Sequence, residues 1–487
     1  MRIIGIYPQK IELDIKLDPD SEEPLGLGYV LNVAARAGHE ISTFIPQGEY
    51  ESDLANHVIE SKPDLVAFSL LTKHIPRTIR LAKRIKEWNP DVKIVIGGPG
   101  ASFFPEILVD NPIDFCVVGE GEITFSDLLS ALENGNDVAN IKGLVFKGPN
   151  GQLVRNDLRS RIADLDELPW PIRFPQFYSK GGYGLNYPTP SNMIYAPMIF
   201  SRGCPLGCSF CDSSTLWGRS VQFRSPTSTV EEIIFLRDTY GVNHVFFEDL
   251  TFTLSKAHVK ELCSEMQQKK TGIFWACETR ADMVDTDLLW TMNHAGCSKI
   301  AWGVESVNRQ TLRMINKNLE TQQVRDTLQI STDIGILNWA FYIIGFPWES
   351  EQDILRNVAD LQSLDIHQLR ISIATPFPGT RWHKEISGSA LHPDLSLYDT
   401  NHLVYDHPTI SPERMKELQN EVFIRFYRSM KYRNRVAKMV KKFPHLRESF
   451  DEFLVYIDSQ IELLESGHIN ITQVYTTNGF FSKGILT

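Results

Sequence analysis

Three of the seven cysteines in this 487-residue chain fall within eight positions, in the stretch Ser201-Arg202-Gly203-Cys204-Pro205-Leu206-Gly207-Cys208-Ser209-Phe210-Cys211-Asp212. Thiolates spaced C-x3-C-x2-C on one short loop can each hold one iron of a cubane 4Fe-4S cluster, for which a closed site needs a fourth protein ligand. The flanking cysteines in sequence are Cys116 and Cys263, far from the loop, so one iron keeps an open position. A structural zinc ion asks for four ligands, usually as two separated pairs, and neither a second pair nor a nearby histidine completes this loop. A disulfide asks for an oxidising compartment, and bridging cysteines so close in sequence strains the backbone.

A chain of this length exceeds one ordinary core and suggests two or three domains at about 150 residues each. A net charge of -11 argues against a nucleic-acid scaffold, which needs a broad basic surface. No apolar run is long enough to span a bilayer, and the first residues lack the apolar core of a signal peptide. A reducing cytoplasm is the expected compartment, in keeping with few cysteines and an oxygen-labile cluster.

Residues 1–145 alternate short apolar runs with amphipathic segments, the pattern of a parallel sheet covered by helices on both faces. Strands are expected at Ile3–Tyr7, Ile41–Ile45, Leu65–Leu71, Lys93–Gly97 and Phe115–Val118, with helices at Gly28–Ala37, Ser52–Ser61, Ile75–Trp88 and Ile123–Glu133. This is a flavodoxin-like doubly wound α/β domain, whose ligands sit beyond the carboxyl ends of the strands. Those ends carry Ser69-Leu70-Leu71-Thr72, Gly97-Gly98-Pro99-Gly100 and Val118-Gly119-Glu120-Gly121. Glycine there lets a bulky ligand approach the backbone, and a hydroxyl offers a donor. The same glycines would also serve a domain in which they only make tight turns, or one that binds another nucleotide.

From 146 to 194 the chain is rich in breakers (Gly148-Pro149-Asn150-Gly151, Pro169-Trp170-Pro171, Gly181-Gly182-Tyr183-Gly184) and reads as an interdomain linker. Its Trp170, Phe174, Phe177, Tyr178 and Tyr183 are expected as packing anchors. From 195 to 385 strands and helices alternate again, with strands expected at Pro197–Ser201, Asn243–Glu248, Ile273–Cys277, Lys299–Val304, Asn338–Ile344 and His367–Ala374. Ser228-Thr229-Val230-Glu231 has the form of a capping box, and Ser255, Asp285 and Thr321 are further cap candidates. Residues 386–487 are expected to be mostly helical, with a charged amphipathic helix over 411–445 whose second half concentrates Lys431, Arg433, Arg435, Lys438, Lys441 and Lys442. Such a stretch is a solvated face or a surface for an anionic substrate or acidic lipid.

The Cys204/Cys208/Cys211 loop, with Gly203 and Gly207 loosening it and Phe210 before its last cysteine, closely resembles that of the radical S-adenosylmethionine (SAM) enzymes. The Ser69-Leu70-Leu71 and Gly97-Gly98 strand ends resemble the cobalamin-binding domain, and the two in this order resemble the cobalamin-dependent radical SAM family. One departure stands out: that family's Asp-x-His-x-x-Gly motif, which gives a histidine to cobalt, is absent, since Asp14 to Glu23 contains no histidine.

The resemblance implies a partial (βα)6 barrel of TIM type with its reactive groups at the carboxyl ends of the strands. It implies a 4Fe-4S cluster on the three cysteines and SAM near Phe210, Asp249, Arg280, Glu305 and Gly345. It implies cobalamin near Ser69, Leu71, Thr72, Gly97, Gly98, Gly119 and Glu120. Glu305 corresponds to the glutamate of the family's fourth-strand motif, whereas Arg280 could instead pair with Asp282 or Glu278. In the family, cleavage of SAM yields a 5′-deoxyadenosyl radical, and methylcobalamin passes a methyl group to a substrate radical. Methylation of an unactivated carbon in a small molecule is therefore the first expectation, with a reducing electron donor such as flavodoxin or ferredoxin. Cyclisation, ring contraction or oxidation with the same cofactors is the second, and a non-catalytic corrinoid and cluster sensor the third.

Overall fold

The computed structural model describes residues 1–8, 23–44, 51–178, 193–386, 391–469 and 474. In the first unit β1 (Arg2–Ile6), α1 (Leu25–Arg36), β2 (Glu40–Phe44), α2 (Glu51–Ser61), β3 (Leu65–Ser69), α3 (Ile75–Trp88), β4 (Lys93–Gly97), α4 (Pro99–Phe103), β5 (Phe115–Val117) and α5 (Glu122–Asn134) follow one another. The five strands are parallel in the flavodoxin-like order β2-β1-β3-β4-β5. Ile4, Ile6, Val66, Phe68, Ile94 and Ile96 pack into one layer, and Ile3, Leu65, Ala67, Val95 and Val117 into the other. That is the period-two alternation of strands buried on both faces, and it explains why their sequences read as continuous apolar runs.

The sheet does not stop at residue 145. β6 (Leu144–Lys147) and β7 (Leu153–Arg155) extend it antiparallel beyond β5, inside the stretch expected to be linker. Gly148-Pro149-Asn150-Gly151 breaks the pattern because it is a hairpin turn: Gly148 N donates to Gln152 O at 2.8 Å and Gly151 N to Gly148 O at 2.9 Å. Gly151 takes φ of +75°, which a side chain would oppose. Of the linker aromatics, Phe174 and Phe177 join the core of the first unit, Tyr178 joins that of the second, and Trp170 lies against Phe235. Tyr183 lies outside the described residues.

The second unit contains β8 (Tyr195–Met198), β9 (Ser201–Arg202), α6 (Ser213–Leu216), β10 (Gln222–Phe223), α7 (Pro226–Tyr240), β11 (His244–Phe247), α8 (Lys256–Gln268), β12 (Phe274–Thr279), α9 (Thr286–His294), β13 (Cys297–Glu305), α10 (Arg309–Met314), α11 (Thr321–Ile334), β14 (Leu337–Ile344), α12 (Glu351–Leu361) and β15 (Gln368–Ile373). Six parallel strands in the sequential order β8-β11-β12-β13-β14-β15 make the expected partial barrel. Its helices and the outward residues form the largest core, while Tyr195, Phe246, Ala276, Ala301 and Trp339 fill the concave side. Ser255 and Asp285 cap α8 and α9 as expected. The cap of α7 is Ser225 rather than Ser228, because Pro226 occupies the first helical position and Ser225 Oγ accepts from Ser228 N at 3.1 Å. Thr321 already belongs to α11, which Glu320 precedes.

After α13 (Arg381–Ile386) come α14 (Pro412–Arg428), α15 (Met430–Lys442) and α16 (Arg447–Glu465). The single helix expected over 411–445 is two, since Ser429 is extended and its hydroxyl caps α15 by accepting from Tyr432 N. Of the basic stretch only Arg435 is buried, paired with Asp365; Arg433 pairs with Asp458 of α16 and Lys442 with Asp333 of α11, while Lys431, Lys438, Lys441 and Lys442 are exposed. Among the described residues no helix is long and apolar enough to cross a membrane.

A buried charge network joins the units. Arg173 of the linker donates to Glu23 Oε2 (2.8 Å) before α1 and to Glu232 Oε1 (2.6 Å) of α7. Tyr178 Oη also donates to Glu23 (2.6 Å), and Arg224 to the other oxygen of Glu232 (2.5 Å). Burial works against the charge on Arg173, but its two carboxylates outweigh it and raise its pKa. Arg173→Ala leaves two buried carboxylates short of a partner and is expected to cost about 3–5 kcal/mol. A clear drop in the thermal midpoint relative to wild type, followed by circular dichroism, checks it; an unchanged midpoint would contradict it.

Candidate active site

The cysteine loop leaves the first barrel strand and is closed at its base by the antiparallel pair β9 and β10. Gly203 takes φ of +108°, and a Cβ there would collide with the Ser220 carbonyl, so the loop can close only with glycine at this position. Arg161 of the linker holds both sides of that closure, donating to Ser220 O (2.5 Å) and Arg202 O (3.1 Å). The far side of the loop is pinned by Ser209 N to Ile315 O (2.9 Å), Asn316 Nδ2 to Gly207 O (2.6 Å) and Trp382 N to Ser209 O (2.9 Å).

So held, Cys204, Cys208 and Cys211 line one cavity of about 280 Å³ at the carboxyl ends of the barrel strands. Phe210, Glu278, Arg280, Glu305, Lys317 and Phe341 complete its wall. All three cysteines are free. Burial raises the pKa of Cys208 and pushes Cys211 up to about 11, so their protons must be displaced when metal binds. A single zinc ion would draw its thiolates to within about 2.3 Å. Among the described residues no three His, Cys, Asp or Glu side chains converge on one ion in that way. The donor set, three free thiols around one cavity with no fourth, fits a multi-iron cluster with an open corner.

The rest of the cavity separates the expected SAM residues into two groups. Phe210, Arg280 and Glu305 line it. Glu305, at φ of +60° on a bulge of β13, is buried and paired with Lys317 Nζ at 2.7 Å. Gly303 makes room for that pair, since a Cβ there would stand 2.5 Å from Lys317 Nζ and 2.8 Å from Glu305 Oε1. Arg280 is engaged as the blander reading had it: Nε and Nη2 donate to Asp282 (2.9 and 2.7 Å), Nη2 also to Lys317 O, and Nη1 lies 3.8 Å from Cys208 Sγ. Burial opposes its charge, and the Asp282 carboxylate more than restores it.

Asp249 and Gly345, also expected near SAM, do not line the cavity. Asp249 is buried behind the first strand, accepting from Ser201 Oγ (2.5 Å) and Phe200 N (2.9 Å), with burial pushing its pKa to about 6 against those hydrogen bonds. It ties the entry of the cysteine loop to the second barrel strand. Gly345, at φ of +83°, lies against Met415 of α14, and its carbonyl accepts from Tyr405 Oη. Lys317 escaped the sequence analysis. Its one local signal is the Asn316-Lys317-Asn318 turn, whose asparagines take φ of +56° and +49°.

A second cavity of similar size opens at the carboxyl edge of the first sheet. Ser69, Gly97, Gly98, Gly119 and Glu120 line it, with Tyr7, Leu27, Val30, Phe68 and Phe125 making it strongly apolar. Leu71 and Thr72 do not. There the chain turns away toward α3 behind Gly100, where a Cβ would meet the Leu71 carbonyl at 2.7 Å. The Glu120 carboxylate is already held by Ile162 N (2.8 Å) and Arg202 (3.1 Å). The apolar walls, and the glycines where a large planar group must approach backbone, fit a corrinoid. The far wall, Ile199, Arg202, Leu216 and Trp217, belongs to the second unit.

Cys208→Ala removes one of the three thiols that line the cavity, and Gly203→Ala forces the loop base open. Both are expected to lose most of the iron and sulfide that wild type takes up on anaerobic reconstitution, measured by metal analysis and the visible absorption of the cluster. Full iron content in either would contradict the geometry above.

Residues 19–129 match the B12 binding domain family and residues 198–361 the Radical SAM superfamily. An uncharacterized methyltransferase of Pyrococcus horikoshii is 29% identical over 437 residues, covering 88% of this chain and 92% of its own. An anaerobic magnesium-protoporphyrin IX monomethyl ester cyclase of Synechocystis is 28% identical over 428 residues, covering 85% of this chain and 83% of its own. Among solved structures, the radical SAM methyltransferase TsrM of Kitasatospora setae, with cobalamin and a 4Fe-4S cluster bound, has the same fold at 19% identity (TM-score 0.66, covering 80% of this chain and 78% of that one). With both domains present in this order, the chain belongs to the cobalamin-dependent radical SAM enzymes.

Proposed function

We propose that this protein is a cobalamin-dependent radical SAM methyltransferase acting on an unactivated carbon of a small-molecule substrate. The observation that carries this reading is that the two cavities share one partition. The α6 turn presents Ser213 and Ser214 to the thiol-lined cavity and Leu216, with the following Trp217, to the apolar slot. Chemistry begun on one side therefore lies next to a carrier on the other, as a two-cofactor transfer requires. The methyltransferase name of the Pyrococcus relative, which aligns over most of both chains, supports methyl transfer over cyclisation.

In this reading Cys204, Cys208 and Cys211 hold the 4Fe-4S cluster, and Glu305 with Lys317 presents one charge of each sign to the zwitterionic end of SAM. Phe210 packs beside it, and Arg280 steadies the Cys208 side of the cluster with a positive charge. Ser69, Gly97, Gly98 and Gly119 border the corrinoid. When bound, the cluster supplies the electron that cleaves SAM and the corrinoid carries the methyl group. The protein keeps these groups apart, dry and aligned, and hydrogen abstraction by a radical asks no general base of the residues that line the site. A low-potential donor such as flavodoxin or ferredoxin reduces the cluster, and a reducing cytoplasm suits seven free cysteines.

The test needs no knowledge of the substrate. Reconstituted protein loaded with corrinoid, reduced with titanium citrate and given SAM with a deuterated methyl group, is expected to form S-adenosylhomocysteine only when corrinoid is present. It is also expected to form 5′-deoxyadenosine. 5′-Deoxyadenosine without S-adenosylhomocysteine would favour cyclisation or oxidation, and neither product would point to a sensor. Glu305→Gln is expected to raise the SAM concentration needed for half-maximal 5′-deoxyadenosine formation by about tenfold, the loss of one charge-assisted contact.

A further inference from the structure

The partition between the cavities is clamped by an assembly drawn from all three parts of the chain. Arg202, two positions before Cys204, is buried and donates to Glu122 (2.7 Å), the first residue of α5 of the first unit, and to Glu120 (3.1 Å) just before it. Its guanidinium lies 5.0 Å from the Tyr29 ring of α1 and 5.5 Å from the Trp217 ring. Arg161 of the linker covers the same indole at 6.0 Å and donates to the Arg202 carbonyl (3.1 Å). Trp217 is thus flanked by two guanidinium groups, both of them beside Glu120. Cations stacked on an indole gain about 0.5–2 kcal/mol each and fix its plane. Arg202 and Trp217 both face the apolar slot, and neither lines the thiol cavity.

We propose that Arg202 and Trp217 act as positioning residues: a strut that fixes where the corrinoid lies relative to the cluster loop. The proposal rests on the corrinoid reading of the slot. Arg202 is tied to the first unit by its side chain and to the cysteine loop by its backbone, so a shift of the corrinoid domain must move the loop. Burying a guanidinium between two carboxylates makes that tie stiff, because pulling them apart would leave the Arg202 charge buried without its carboxylates. Trp217 supplies the wall against which the ligand rests. A displacement of about 1 Å at such a place is enough to cost on the order of a hundredfold in a transfer step.

The test compares wild type with Arg202→Gln, Arg202→Lys, Trp217→Ala and Trp217→Phe, each reconstituted anaerobically with cluster and corrinoid. Iron and corrinoid stoichiometry are measured first. The microwave power that half-saturates the cob(II)alamin EPR signal is then read with the cluster oxidised and reduced. This relaxation effect falls steeply with the distance between the two centres, and a purely structural loss of stability does not move it. Arg202→Gln and Trp217→Ala are expected to retain corrinoid but change the relaxation effect, and to form S-adenosylhomocysteine about tenfold or more slowly. Arg202→Lys and Trp217→Phe are expected to recover part of both. Unchanged relaxation in Trp217→Ala with both cofactors bound would overturn the proposal, as would loss of corrinoid from it, which would make Trp217 a plain ligand contact. Trp217→Ala removes no buried charge, so it remains decisive if Arg202→Gln does not fold. Wild type that retains no corrinoid would overturn the slot's assignment and the strut with it.

Discussion

Two buried arginines hold this molecule's working parts in register. Arg173 joins the segment before α1 to α7, and Arg202 joins α5 to the root of the cysteine loop. Both sit between two carboxylates, nearly out of water: those of Arg173 come from different elements, those of Arg202 from the start of α5. Such pairs contribute little net stability, because desolvation offsets most of the attraction, but every arrangement that separates them is costly. Their effect is therefore on geometry. A hydrophobic interface alone would let the doubly wound unit slide against the barrel, whereas discrete guanidinium contacts admit one register.

The same logic runs through the reactive site at smaller scale. Parallel sheets end in a row of strand termini, and here the carboxyl edges of two such sheets each open onto a cavity. The α6 turn that follows the cysteine loop separates them, and the loop's hydrogen bonds come from the linker (Arg161), the turn after α10 (Ile315, Asn316) and α13 (Trp382). Gly203 and Gly303 mark where no side chain fits, one because the loop must close and the other because a buried Lys317–Glu305 pair occupies the space. The placing of the three thiols thus depends on residues more than a hundred positions away.

Much of this was legible in the chain itself. Five of the first sheet's strands and all six barrel strands were legible, and all but the edge strand β2, whose residues are exposed or half-buried, owe their apolar runs to cover on both faces or to packing on a large core. Where the reading failed, the cause was local chemistry that serves more than one end. Gly148 to Gly151 read as a linker and made a hairpin turn, since breakers mark both. Asp249 stands at a strand end, where a carboxylate serves a ligand or a neighbouring loop, and here hydrogen bonds from Ser201 and Phe200 claim it. Leu71 and Thr72 follow a strand whose last residue, Ser69, does reach the slot, but the chain turns away at once. Arg433 and Lys442 of α15 found acidic partners on α16 and α11, which no local pattern in α15 announces.

By itself the sequence determined the kinds of structure and chemistry available. Hydrophobic periodicity set two α/β units, and cysteine spacing set a loop of three thiols with no fourth cysteine near in sequence, because both are short-range properties of residues close in the chain. Only the tertiary structure decided which polar side chains face a cavity and which hold the scaffold. Arg280 and Asp249 are both charged residues at barrel strand ends, yet one reaches the thiols and the other is buried behind them. That choice depends on partners distant in sequence, whose distances and burial exist only once the chain has packed.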